Sequence, residues 1–258
     1  MRCIKFTVTS LCLWIVLLSA YRPAATAEPA AKAGEDKIRV LLVTGNDYPG
    51  HEWKLTTPAV RQILEQDPRM IVRIVEDPEF LASPALDQYD LVVLNYMNWE
   101  SPDPSEAAAK SLQQFVQKGK GLVLLHFTCG AWSNWPEYAN LAGRIWDKVN
   151  THDPRGPFQV DITTQDHPVT RGLKAFESDD ELYTCLTGDR PITVLATAKS
   201  KVTGKDHPMA FVFDYGQGRV FHTPLGHDVK AFTMAGPAEL IRRGCAWAAG
   251  REVLPAAK

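Results

Sequence analysis

Gly121-Leu-Val-Leu-Leu125 is an unbroken apolar run that passes without a spacer into His126-Phe-Thr-Cys129. A strand with one face in water alternates apolar and polar side chains. A run that is apolar at every position has to be covered on both faces, which is the condition of a strand inside a parallel sheet. Ile38-Arg-Val-Leu-Leu-Val43 and Leu91-Val-Val-Leu94 share the habit and also end in polar residues, at Thr44 and Asn95. Residues 70–76 supply a further strand. Between the runs lie segments of helical spacing: Val60, Ile63 and Leu64 after a Thr57-Pro58 start signal, a short helix within 78–87, and Ala108, Leu112, Phe115 and Val116 within 104–118, where Gly119 stops the helix. This alternation predicts an α/β fold, a doubly wound and mostly parallel sheet with right-handed crossovers.

In the second half, residues 158–162, 191–196, 209–213 and 219–222 read as strands, the last two joined through Tyr215-Gly-Gln-Gly218 as an added β-hairpin. Residues 135–143 read as a short helix and 237–249 as the closing one. No internal repeat is present, and 37–254 is expected to be a single domain.

The first 27 residues stand apart. Arg2 and Lys5 precede an apolar stretch over 6–20, and Ala25-Thr-Ala27 has the small-x-small form that a signal peptidase cuts. The expectation is a signal peptide over 1–27, a disordered leader over 28–36, and a secreted or periplasmic mature chain. The apolar stretch is shorter than the roughly 20 residues of a membrane span, so a retained anchor is the lesser reading and no stable span is expected after signal removal. About 230 residues remain, enough for one well-filled core. A formal charge of −2 without any long Lys/Arg cluster excludes a nucleic-acid surface and favours a small, weakly charged ligand. Cys129, Cys185 and Cys245 allow at most one disulfide, so the core and not cross-linking must hold the fold. The oligomeric state cannot be read.

Chemistry in an open α/β sheet gathers outside the carboxyl ends of the strands. His51 follows the first strand, His126 ends the fourth, and His222 and His227 flank Thr-Pro-Leu-Gly after the hairpin. With a carboxylate, such imidazoles either bind a divalent metal or work as acid/base pairs near neutral pH. Glu181, in Asp179-Asp-Glu-Leu-Tyr183, is either part of a solvated acidic loop or pinned by Leu182 and Tyr183 against buried surface, with its pKa raised. His152, His167 and His207 lie in proline-flanked loops and read as turn or solvent-facing residues. Cys129 comes too late after the strand to be an elbow nucleophile, and Gly-x-Ser-x-Gly is absent, so it reads as a buried thiol. Trp53, Asn95, Trp99 and Trp132 fall in the strand-end loops, where flat rings and amides make a surface for sugars.

Val43-Thr-Gly with Gly50-His-Glu-Trp53, Gly121-Leu-Val-Leu-Leu-His126, Asp180-Glu-Leu-Tyr183, His207-Pro-Met-Ala, Tyr215-Gly-Gln-Gly-Arg-Val-Phe221 and Leu225-Gly-His227 together resemble the ThuA-like (trehalose utilisation) family, across 38–253. The resemblance implies a flavodoxin-like, glutamine amidotransferase-like sheet without that enzyme's catalytic triad, and a link to sugar catabolism. It implies a shared site at His51, His126, Glu181, His222 and His227. The expected function is a secreted enzyme processing keto-sugars or glycosides, a hydrolase or lyase. His126, His51 and Glu181 would be catalytic; Trp53, Asn95, Trp99, Trp132 and His227 would bind substrate; and a metal, if one is used, would sit on His51, His126, His222 and Glu181. The competing expectation is a non-catalytic carbohydrate-binding module on the same fold.

Overall fold

The computed structural model describes residues 37–146 and 151–255; the expected signal peptide and leader lie outside the described residues. In chain order the elements are β1 (Ile38–Val43), α1 (Trp53–Leu64), β2 (Met70–Val75), two 3-10 turns (Pro78–Ala82 and Pro84–Gln88), β3 (Leu91–Leu94), α2 (Glu106–Gln117), β4 (Gly121–Leu125), a 3-10 turn (His126–Gly130), α3 (Tyr138–Ala142) and β5 (Ile145–Trp146). They continue with β6 (Gly156–Ile162), β7 (Phe176–Asp180), β8 (Leu186–Thr187), β9 (Thr193–Lys199), β10 (Asp206–Tyr215), β11 (Gly218–Thr223), α4 (Val229–Thr233) and α5 (Ala235–Ala248). None of the described helices is long and apolar enough to cross a membrane.

Nine strands form one mixed sheet in the order β2-β1-β3-β4-β11-β10-β9-β6-β7, and β5 and β8 pair separately. The first five are parallel, with β11 as the fifth parallel strand beside β4, and the remaining four are antiparallel. The all-apolar strands are covered twice, as their composition demands. Val123, Leu125 and Phe221 pack with Val60, Ile63, Leu240 and Ile241 of α1 and α5. Leu122, Leu124 and Val220 pack on the opposite face with Leu112, Phe115 and Leu141 of α2 and α3.

Three local expectations are corrected. Helix α1 starts at Trp53, a turn before Thr57, and carries Pro58 inside it. The buried Thr57 hydroxyl is tied to Thr44 at 2.8 Å and to the Asn95 amide at 3.2 Å, and these bonds fix the first turn despite the proline. Residues 78–87 make two 3-10 turns, because Asp77 and Ser83 each cap a proline-led turn of their own. Phe176–Asp180 is a strand where the acidic run suggested a loop; it pairs with β6 from Val160 to Gly156. Cys129, Cys185 and Cys245 are buried, and none of them forms a disulfide among the described residues.

Candidate functional site

The strand order places the ends of β1, β3, β4 and β11 along one rim, and the chain reverses its direction of travel between β1 and β3, the position where such sheets bind ligands. Each end delivers one element of the site. After β1, an isolated bridge between Tyr48 and His51 closes the loop and turns His51 inward. After β4, His126 takes a left-handed backbone with φ 45°, a conformation that costs a side-chain-bearing residue about 1–3 kcal/mol and is held by its surroundings. Pairing of β4 with β11 ends at Leu125 and Thr223, so Pro224 lies beside His126, and its carbonyl accepts from His126 Nδ1 at 2.8 Å. After β11, Gly226 has φ 120°, and a Cβ there would meet the Phe232 ring at 2.3 Å, so only glycine lets the chain pass to His227. The fully buried Asp180 carboxylate, at the end of β7, accepts from the backbone N–H of Gly226 at 2.6 Å, Glu181 at 2.8 Å and His227 at 3.2 Å. One carboxylate thus fixes two members of the site.

The result is a group of four donors, His51, His126, Glu181 and His227, with one ligand atom from each lying within 4.8 Å of the others. His51 Nε2 and His126 Nε2 are 3.0 Å apart. His227 Nδ1 is 3.3 Å and His126 Nε2 is 3.7 Å from Glu181 Oε2. A carbonyl oxygen can only accept, so His126 Nδ1 carries the proton and Nε2 presents its lone pair to the group, the tautomer that metal-binding histidines adopt. Metal–nitrogen bonds of about 2.0–2.1 Å put the edge of a tetrahedron near 3.3 Å, close to the imidazole separation here. Burial pushes His126 well below the usual histidine range, with His51 and His227 adding to it. Burial, together with His227, brings His51 down to about 4, against the pull of Glu181. Burial pushes Glu181 up, but its bond to His227 and the charges of His227, His152 and His51 outweigh that and leave it below the usual carboxylate range. His227 is raised by its bond to Glu181.

Around the group, a cavity of ≈ 30 Å³ is lined by His51, His126 and His227 with Asn46, Trp53 and Asn95. That volume takes an ion or a single oxygen and excludes a sugar ring. A larger cavity of ≈ 620 Å³ adjoins it and shares His51 and Trp53, with Tyr48, Leu55, Glu52 and Glu100 on its walls.

Of the residues expected from sequence, His51, His126, Glu181 and His227 meet, and Trp53 and Asn95 line the small cavity. Trp53 donates to Asp47 at 2.8 Å. Trp99 lies edge-on to Phe127 and donates to the Gly130 carbonyl at 2.9 Å, outside that cavity. His222 does not join the metal group: it is still within the paired strand, fully buried, with Nδ1 on the Ala142 carbonyl at 2.9 Å and its ring against Phe211. His227, beyond the last pair, takes that place. Trp132 is 2 % exposed and packed among Tyr96, Trp135 and Tyr138, a core residue and not a sugar platform. The acid with a raised pKa is Asp180, lifted by burial to about 6 against its three N–H donors, and not Glu181.

Two residues escaped the sequence reading. His152, set aside as a turn residue, bridges to Tyr183 and brings Nε2 to 3.6 Å from Glu181 Oε1, while its Nδ1 donates to the Asp153 carbonyl at 2.7 Å. Tyr183, taken only as an anchor for Glu181, places its hydroxyl 2.8 Å from His126 Nε2. Its position in Asp180-Glu-Leu-Tyr183 was the one available signal; His152 offered none.

The model of the ThuA family, described as trehalose utilisation, matches residues 39–248. A ThuA-like protein from Parabacteroides merdae is similar in structure, with 27% identity, a TM-score of 0.76, and 85% of this chain and 92% of that one covered. A ThuA-like protein from Bacteroides uniformis has 18% identity and a TM-score of 0.67, over 87% and 96%. A β-galactosidase from Rahnella contains the fold at 15% identity and a TM-score of 0.58, over 82% of this chain and 31% of its own. No curated protein matches the sequence. With the family model spanning most of its length, the chain belongs to the ThuA, or trehalose utilisation, family.

Proposed function

We propose that this protein is a sugar-processing enzyme acting on keto-sugars or glycosides, with a divalent ion held by His51, His126, His227 and Glu181. The observation that carries the reading is the approach of those four donors to within 4.8 Å of one another, with the three histidines lining a cavity of ion size beside a second cavity large enough for a disaccharide. Three imidazoles and a carboxylate suit zinc or a neighbouring first-row ion, which supplies polarisation of a carbonyl or hydroxyl oxygen. In this reading the residues first expected to be catalytic, His126, His51 and Glu181, act as ligands.

Proton transfer then falls to His152. Its Nδ1 is committed to the Asp153 carbonyl, so Nε2, 3.6 Å from Glu181 Oε1 on the site side, is the nitrogen that takes and returns a proton. For a 3-keto-glycoside, the carbonyl acidifies the neighbouring C2–H; His152 takes that proton, a C1=C2 double bond forms as the C1–O bond breaks, and His152 returns the proton to the departing oxygen, which leaves as the alcohol. Trp53, at the junction of the two cavities, offers the ring against which the sugar lies. The family's association with trehalose utilisation supports a disaccharide of this kind, and the amino-terminal segment supports a secreted or periplasmic setting.

The test is turnover of 3-ketotrehalose and of plain trehalose by the purified chain, before and after chelation. Product from the keto form, lost on chelation and restored by zinc or manganese, supports the reading. Saturable sugar binding with no product under any metal would favour the binding module instead.

A further inference from the structure

The lone pair of His126 Nε2 is oversubscribed. Its Nδ1 proton is spent on Pro224, so Nε2 can only accept, and two groups crowd it: Tyr183 Oη at 2.8 Å and His51 Nε2 at 3.0 Å. One lone pair supports one strong bond. An ion held by His126 would engage that lone pair, and the Tyr183 hydroxyl would then lose its acceptor. The Tyr183 side chain is fully buried, and among the described residues its hydroxyl has no other hydrogen-bond partner. A buried hydroxyl left without a partner costs free energy, so it turns to the nearest new acceptor. Tyr183 packs with Met97, Phe127, Cys129 and Cys185, and its buried ring keeps the hydroxyl at the donor group.

We propose that Tyr183 is a catalytic hydrogen-bond donor that metal uptake releases: without the ion its hydroxyl occupies the His126 lone pair, and with the ion it donates to the substrate oxygen that the ion polarises. This rests on the metal reading above and adds to it a residue and an order of events. A bound ion would supply polarisation of the same oxygen to which the phenol donates, and the phenol would be set for its task only with His126 Nε2 so engaged. The exchange also makes Tyr183 a competitor of the ion, so its removal helps binding and harms turnover.

The full-length Tyr183→Phe variant tests this through three readouts. Competition with a chromogenic chelator should show zinc and cobalt bound as tightly as in the wild type or roughly three- to tenfold more tightly, since no hydrogen bond to Nε2 has to be broken. With 3-ketotrehalose, kcat should fall about 10²–10³-fold with KM little changed, the loss expected of a donor to a developing oxyanion. Independently of activity, zinc addition should perturb tyrosine absorbance in the wild type, and that difference spectrum should vanish in Tyr183→Phe. Metal affinity reduced tenfold or more would make Tyr183 a ligand and overturn the proposal, as would unchanged kcat or an identical difference spectrum. A wild type that takes up no metal would instead sink the underlying reading. A melting curve of the metal-free variant close to the wild type's identifies these losses as local.

Discussion

Asp180 is the residue through which the fold reaches the site, and replacing it gives the sharpest test of that link. Asp180→Ala removes the acceptor of three backbone N–H groups, of Glu181, Gly226 and His227, at a fully buried position. A buried donor left unpaired costs about 1–3 kcal/mol; with partial rescue by entering water, the three sum to about 3–5 kcal/mol. At a typical urea slope of about 2 kcal/mol per M, the unfolding midpoint should drop by about 2 M. Asp180→Asn keeps one accepting oxygen and sheds a buried charge. Burial lifts the carboxyl to about 6, above its value in the unfolded chain, so the charge is a penalty above pH 6 that is relieved as the pH falls through 6. The amide escapes that penalty, and its net cost should be only about 1–2 kcal/mol at pH 7. In Asp180→Ala, Glu181 and His227 lose the Oδ1 that both their N–H groups share, so zinc affinity should fall by more than tenfold, measured well below its unfolding midpoint, whereas the accepting oxygen of Asp180→Asn, in the place of Oδ1, keeps both bonds and most of that affinity. Urea titrations and chelator competition on the same preparations read both effects. An alanine variant with an unshifted midpoint and wild-type metal affinity would refute the reasoning.

Further outcomes follow from the same geometry. Burial brings His222 down to about 4, below its unfolded value, so the unfolded chain binds that proton first and stability is lost as the pH falls from 6.5 toward 4, by about 3 kcal/mol. In metal-free protein, His222→Leu should cost about 1 kcal/mol at pH 7 through the Ala142 carbonyl, yet remove that part of the acid loss, and it should leave metal affinity unchanged. Trp53→Ala should raise KM about tenfold with metal affinity intact, whereas Trp132→Ala should lower stability by about 3–5 kcal/mol with no selective effect on KM.

How much of this the chain discloses before it folds depends on whether local pattern or long-range pairing decides each feature. Leu122 to Leu125 must be a doubly covered strand whatever else happens, and the polar residue after it must stand at the rim. His126 was legible for that reason. The choice between His222 and His227 was not, because it turns on where pairing with β4 stops, at Thr223; residues before that point face the packed layers, and those after it leave the sheet. Phe176–Asp180 carries too many acids to read as a strand, and it forms because β6 pairs along it and because Asp180 finds two N–H donors, of Gly226 and His227, in the distant loop after β11. Trp132 looked like a rim aromatic from its neighbours in sequence; only the packing of Tyr96 and Tyr138 around it makes it core. His152 enters the site through one bridge to Tyr183, a contact across more than thirty residues that no local pattern announces.

Everything proposed for the site requires that His51, His126, His227 and Glu181 bind one ion together. Calorimetric titration of zinc into chelator-treated full-length protein, beside its His126→Ala and His51→Ala variants, tests it most directly. One ion per chain should bind, with affinity reduced about 100-fold or more in each variant. Absence of uptake by the wild type, or uptake that neither substitution weakens, would contradict it.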